Sequence, residues 1–233
     1  MCGRFTLTRQ ERRELAGLLG VNENDLRDYR PRYNIAPTDQ HFIVSSKYEQ
    51  RKARPATWGL INSWATDNSR ASQCINAKAE TLEERKTFRE AFQRRRCAIP
   101  ADGFYEWRGP KNRREPVWIH PADGGLLLFA GLYESWQPKR GEWQRTFTII
   151  TTGANELLKP IHDRMPVILD ERSAEDWMNP NESAPDRLKK LLAPASEELL
   201  VISAASRLVN SVKNDGPELL NGDTAAPPQL RLL

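Results

Sequence analysis

Between Thr8 and Gly20 the apolar positions fall at Leu15, Leu18 and Leu19, and Thr8 and Glu11 stand at the spacing of a capping box. The pattern predicts a short helix with one apolar face, stopped by Gly20. Ahead of it lies a short apolar stretch, Phe5 to Leu7. The segment from Asn22 to Gln40 carries Pro31, Pro37 and no helical period, and it reads as an ordered loop crossing the surface. A second capped helix is expected to begin at Thr81, with Glu84 three residues on, Leu82, Phe88 and Phe92 inward, and a polar face running to Arg94, Arg95 and Arg96. From Cys97 the pattern changes to short β-rich runs: Cys97 to Ile99, Phe104 to Trp107, Val117 to His120, Leu126 to Ala130 and Phe147 to Thr151. Turn residues separate them at Asp102-Gly103, Gly109-Pro110 and Asp123-Gly124-Gly125. Helical stretches around Ala174 to Met178 and Asp186 to Leu192 precede a strand at Leu199 to Ser203. With no βαβ alternation and no repeat, the order predicts an α+β fold built around antiparallel sheet, in a single domain over residues 1–220. Residues 221–233, with Pro227 and Pro228, read as a loosely attached tail.

Composition narrows the function classes. The 233 residues carry 35 Lys and Arg against 31 Asp and Glu, so the chain is mildly basic, a balance that permits a polyanionic partner without requiring one. Three scattered cysteines, Cys2, Cys74 and Cys97, form no CxxC pair and have too few histidines nearby for a zinc site; reduced thiols in a cytosolic protein are expected, with no metal or cofactor. No apolar run approaches the roughly 20 residues of a membrane span, and the basic-then-apolar layout of a signal peptide is lacking. The expected location is the cytoplasm, at the nucleoid in a bacterium.

Several polar residues stand where a core would not choose them. In MCGRF, removal of Met1 would leave Cys2 with a free α-amine and a thiol on one residue. In INAKAET, Asn76 follows an apolar residue near a strand end, where turn or cap roles are usual. In ADGFYEW, strand alternation sets Phe104 and Glu106 on one face and Tyr105 and Trp107 on the other. Glu106 is thereby expected half-buried among aromatics, its proton affinity raised by desolvation. In KPIHDRMPVIL, His162 sits in a polar knot before an apolar strand. Trp58, Trp64, Arg4, Lys78, Lys86 and Arg164 supply the rings and cations that single-stranded nucleic acid binding needs, though any surface also has them.

Taken in order, MCGRF, RYNIAPT, WGLINSWA, INAKAET, RCAIPADGFYEW, IHDRMPVIL and VNSVKNDGPELL resemble the SOS response-associated peptidase (SRAP) family over nearly the whole chain to about Leu220. The resemblance implies a barrel-like mixed sheet with peripheral helices, and a monomer that captures abasic sites in single-stranded DNA as a covalent adduct on Cys2, near single-strand/duplex junctions and in reach of the replication machinery. An abasic deoxyribose opens to an aldehyde. A neutral α-amine condenses with it, and the neighbouring thiol closes intramolecularly to a thiazolidine. With an α-amine pKa of about 8, a useful fraction of amine is neutral at physiological pH. By the same resemblance Asn76 positions the N-terminus and sugar, and Glu106 and His162 move protons during formation and reversal of the adduct. Arg4, Asn34, Pro37, Trp64, Lys78, Lys86, Thr151 and Arg164 are then the DNA contacts. A peptidase activity is implied too, acting on Met1, a step that a cellular aminopeptidase could equally perform. The chain departs from the family at Lys78, where Arg is more usual and would offer a bidentate guanidinium, at Asn62, often Pro, and at Ala65, Trp in some relatives.

Two other readings stay open. An N-terminal-cysteine amidohydrolase of the Ntn type also begins MCG, but this chain lacks that family's downstream arginine and Asn-Gly blocks. A noncovalent single-strand binder would make Cys2 incidental.

Overall fold

The computed structural model describes residues 2–48, 50–110, 112–139 and 141–222; most of the expected tail, residues 223–233, lies outside them. Strand β1 (Phe5–Leu7) is followed by helix α1 (Arg12–Leu19). Gly20 ends the helix in the left-handed conformation at φ 63°, as its sequence predicts. The capping box does not form: Glu11 is the cap residue and makes no side-chain bond, because the Thr8 hydroxyl is spent on Asp102 instead. Leu18 is exposed, and Leu15, Ala16 and Leu19 form the inward face.

The stretch read as a loop contains a 3-10 turn at Glu23–Leu26, capped by the Asn22 side chain, and strand β2 (Arg32–Ile35). Then come the long strands β3 (Gln40–Lys47) and β4 (Gln50–Trp58), an antiparallel pair that the sequence reading did not anticipate. Proline and charge broke the expected alternation there: Pro55 stands inside β4, and Lys52 and Arg54 occupy its outer half. Strand β5 (Asn76–Lys78) leads into a 3-10 turn at Ala79–Thr81, so helix α2 (Lys86–Arg94) begins five residues later than the Thr81 spacing predicts. Arg96 is no part of a polar face. It is buried, and its guanidinium donates to the carbonyls of Phe92, Gln93, Trp177, Asn179 and Glu182, filling its donor sites with backbone acceptors.

The remaining strands fall close to expectation: β6 (Arg96–Ala101), β7 (Gly103–Arg108), β8 (Glu115–Pro121), β9 (Leu127–Trp136) and β10 (Gln144–Gly153). The short strands β11 (Arg164–Pro166) and β12 (Ile168–Leu169) precede helices α3 (Glu171–Met178) and α4 (Pro185–Lys190) and strand β13 (Leu200–Ala204).

Two sheets result. One is antiparallel in the order β13-β8-β7-β1-β2, so the N-terminal strand is an inner strand. In the other, pairings run from β10 through β4, β3, β6 and β9 and return to β10. This ring is barrel-like but not a barrel closed by full ladders: β3 meets β6 only at Val44–Ala98, and β10 meets β4 only at Thr146–Thr57 and Phe147–Trp58. The fold is thus the single α+β domain expected, mostly antiparallel. Phe5 joins the sheets, its ring edge-on to His41, Trp58 and Phe129. Trp58 is wholly buried and stacks on Phe147, so it belongs to the core and not to a binding surface.

The Asp102 carboxylate fixes the N-terminal strand. It accepts from the Thr6 hydroxyl at 2.6 Å and from the Thr8 amide and hydroxyl at 2.5 and 2.7 Å. Gly103 follows because a Cβ there would lie 2.1 Å from the Trp118 indole nitrogen, which donates to Thr6. Truncating a buried acceptor strands its donors. Asp102→Ala is expected to cost about 3 kcal/mol of unfolding free energy, measured by urea denaturation; a loss below about 1 kcal/mol would contradict this role.

Candidate active site

The β1–β7 register pairs Phe5 with Phe104 and Thr6 with Gly103, and the Tyr105 amide donates to the Arg4 carbonyl at 2.9 Å. Continued by antiparallel geometry, that register sets Glu106 across from Gly3 and beside Cys2. Cys2 is fully buried, with its thiol directed at the Arg4 carbonyl at 3.7 Å. Burial pushes the thiol pKa far up, and the neighbouring Glu106 charge pushes the same way, so the sulfur is held as a neutral thiol.

Strand β10 assembles the other side. It pairs in parallel with β5, Ile149 opposite Asn76 and Thr151 opposite Lys78, and antiparallel with β11, Thr151 opposite Pro166. Asn76 then reaches the N-terminus: its Nδ2 donates to the Cys2 carbonyl at 2.9 Å. Its Oδ1 is buried without a hydrogen-bond partner among the described residues, a costly state for an amide oxygen and a ready acceptor for a ligand donor.

Glu106 is 6% exposed, more deeply buried than the half-buried position its alternation implied. Desolvation raises its pKa above the ordinary carboxylate value near 4.5, opposed in part by the charge of His162. The His162 Nδ1 lies 3.0 Å from the Arg164 amide and 2.8 Å from an Asp163 carboxylate oxygen. The structure therefore brings Cys2, Asn76, Glu106 and His162 into one neighbourhood from four separate stretches of sequence.

A cleft of about 490 Å³ opens beside Asn76, lined among others by Trp64, Lys78, Arg85 and Cys74. Trp64 is half-exposed, with the Lys86 ammonium 4.9 Å above its ring. Asn62, the departure from Pro, is buried and donates to the Thr87 carbonyl at 2.7 Å, tying the cleft wall to the first turn of α2. The Ala65 carbonyl accepts from the Trp136 indole at 2.8 Å.

The other candidate contacts are less open. Arg164 chelates Glu80 with bonds of 2.6 and 2.9 Å and also donates to the Thr151 carbonyl, so a phosphate there must displace a carboxylate. Arg4 donates to Asn34 and to the Val209 carbonyl. Asn34 is wholly buried and donates to the carbonyls of Val209, Ser211 and Asn214, so this pair clasps the C-terminal segment against β1 and β2. Pro37 is half-buried in the turn between β2 and β3. Glu80 and Arg85 were not singled out by sequence reasoning. An acidic residue two places after Lys78 was the only signal for the first.

These features sit in a family that the comparisons identify. The sequence profile of the SOS response associated peptidase (SRAP) family matches residues 1–212, and the chain belongs to that family. It is 41% identical over 227 residues to a Bacillus subtilis protein named abasic site processing protein YoqW, covering 94% of this chain and 99% of that one. An Escherichia coli protein named abasic site processing protein YedK is 31% identical over 227 residues, with coverage of 94% and 99%. A crystal structure of a protein from Bacteroides thetaiotaomicron aligns with a TM-score of 0.84 at 26% identity, over 95% of this chain and 99% of that one.

Because the folded protein holds the Glu106 proton more tightly than the unfolded chain, its stability should fall as pH rises from about 4.5 through the raised folded value. Glu106→Gln, which removes the buried charge, is expected to unfold at higher urea than wild type at pH 8 and to show a smaller difference at pH 4.5. An equal difference at both pH values would remove the burial argument.

Proposed function

We propose that the protein processes abasic sites in DNA by capturing them covalently on Cys2 once Met1 has been removed, either by the protein itself through Cys2 or by an aminopeptidase. The observation that carries this reading is the Asn76 bond to the Cys2 carbonyl from the wall of the cleft that also holds Trp64 and Lys78. The names of the relatives support the same substrate.

In this scheme the neutral Cys2 amine adds to the C1 aldehyde of the opened sugar, and the carbinolamine loses water to give an imine. Protonated Glu106 gives the departing hydroxyl its proton, a task its raised pKa favours. The thiol then adds to the imine carbon: a C–S bond forms and the thiol proton passes to nitrogen, closing the thiazolidine. A thiol kept neutral by burial leaves the first step to the amine. His162 shuttles protons during ring opening and reversal, and the orphaned Asn76 oxygen accepts from the amine or a sugar hydroxyl. Single-stranded DNA lies along the cleft with Lys78, Lys86 and Arg164 on phosphates and Trp64 against a base at a duplex junction. Arg4, Asn34, Pro37 and Thr151 support that path from behind. This chemistry belongs in the cytoplasm or nucleoid, beside replication; among the described residues no helix is long and apolar enough to cross a membrane.

Protein whose Met1 loss is verified by mass spectrometry, mixed with a single-stranded oligonucleotide bearing one abasic site, is expected to give an adduct that survives a denaturing gel without borohydride. Its mass should equal protein plus oligonucleotide minus one water. Cys2→Ser keeps the amine and is expected to need borohydride to be trapped. No adduct from processed wild type, or equal binding of abasic and intact DNA by Cys2→Ala and wild type, would overturn the proposal in favour of a noncovalent binder.

A further inference from the structure

The ring of strands has a second end, away from Cys2. On β10, Arg145 shares a face with Phe147 and Ile149, both buried in the core, so its side chain enters the ring at the mouth. On β4, Arg54 shares the face of Ala56 and Trp58. Trp58 reaches the Ile75 carbonyl next to Asn76, and four residues of strand put Arg54 about 13 Å from it. Tyr133 stands opposite Phe147 on β9, and Ser135 opposite Arg145.

Charge at this mouth is unbalanced. Among the described residues neither arginine forms an ion pair; Arg54 donates only to the Ser45 hydroxyl at 3.3 Å, and the Arg145 Nε is buried with no acceptor. Burial lowers the Arg145 pKa, and the nearby Arg54 charge lowers it further, against the opposing influence of Tyr133 and Cys97. Other buried arginines are better served: Arg32, Arg51, Arg95 and Arg164 each hold a carboxylate, while Arg4 and Arg96 donate to an amide oxygen and backbone carbonyls. Beside Arg145 a hollow of about 390 Å³ is lined by Ser135, Trp143 and Gln144, and the Trp143 ring is 67% exposed.

Two neighbouring guanidiniums on one face of adjacent strands, lacking a carboxylate, match a phosphate group, and the exposed indole beside Arg145 matches the base attached to it. We propose that the mouth of the ring formed by Arg54, Arg145 and Trp143 is a nucleotide-phosphate site, separate from the Cys2 site, with the phosphate on the arginine pair and a base stacked on Trp143. The phosphate can come from a free mononucleotide or from a unit of a single strand. The site uses none of the residues of abasic capture, so it stands or falls independently of that chemistry.

The test titrates full-length protein with inorganic phosphate, with dAMP and with an intact single-stranded oligonucleotide, following Trp fluorescence and the melting temperature. Saturable binding of dAMP with indole quenching is expected, weakened at least tenfold in Arg145→Gln and in Arg54→Gln, with quenching lost in Trp143→Phe. A free nucleotide as the source predicts dAMP binding at least as tight as that of the oligonucleotide per site. A strand as the source predicts tighter oligonucleotide binding, with a salt slope lowered by about 0.7 in each arginine variant. In phosphate-free buffer Arg145→Gln should melt at or above the wild-type temperature, because it removes an uncompensated charge, which shows that the variant folds. No saturable binding of any of the three probes, or binding unchanged in both arginine variants, overturns the proposal.

Discussion

Everything at the candidate active site depends on a short strand being held on both sides. β1 lies between β7 and β2, and the Asp102 carboxylate gathers Thr6 and Thr8 at its end. Inner strands are usually the least mobile parts of a sheet, whereas chain termini are usually the most mobile. Cys2, three residues before Phe5, thereby takes the fixed, buried position of a core residue. The pairing with β7 also brings the carboxyl of Glu106 to it, so the hydrogen bonds that hold the strand also set the charge beside the thiol.

A second constraint comes from β10. It is long enough to pair with β9 and β4 at one end and with β5 and β11 at the other, and so spans from the arginine mouth to the Asn76 cleft. The ring interior between those ends is filled by Phe5, Trp58, Phe129 and Phe147. Interiors packed to this density do not pass solvent or small ligands. The two ends are separate chemical environments, one with a neutral thiol beside a buried carboxyl and one with two arginines that hold no carboxylate among the described residues.

The sequence made some of this legible and hid the rest for identifiable reasons. The strands β6 to β10 announced themselves because Asp-Gly and Gly-Pro turns bound short apolar runs, and the burial of Glu106 followed from alternation among aromatics. The β3–β4 pair stayed hidden because its alternation places Arg, Lys and Pro on a half-buried strand, and β2 was masked by flanking prolines. The two capping boxes misled because local spacing competes with distant partners: Thr8 is taken by Asp102, and Thr81 lies in a 3-10 turn. Of the candidate site, the ordered motifs pointed to Cys2, Asn76, Glu106 and His162, which lie far apart in the chain and close together in the fold. That Arg164 is chelated by Glu80, and that Asn34 and Arg4 clasp the C-terminal segment, are long-range facts that no local pattern encodes.

The inner position of β1 also sets a clock on synthesis. Its partner β7 begins about a hundred residues downstream, and at roughly 5–20 residues per second that strand leaves the ribosome some 5–20 s after the first one. Until then the leading residues have only β2 to pair with, and the β7 side of the strand stays open. Once β7 arrives, Cys2 is withdrawn into the interior. Full enclosure of Cys2 therefore waits on a strand about a hundred residues away, and that wait is written in the separation between two strands.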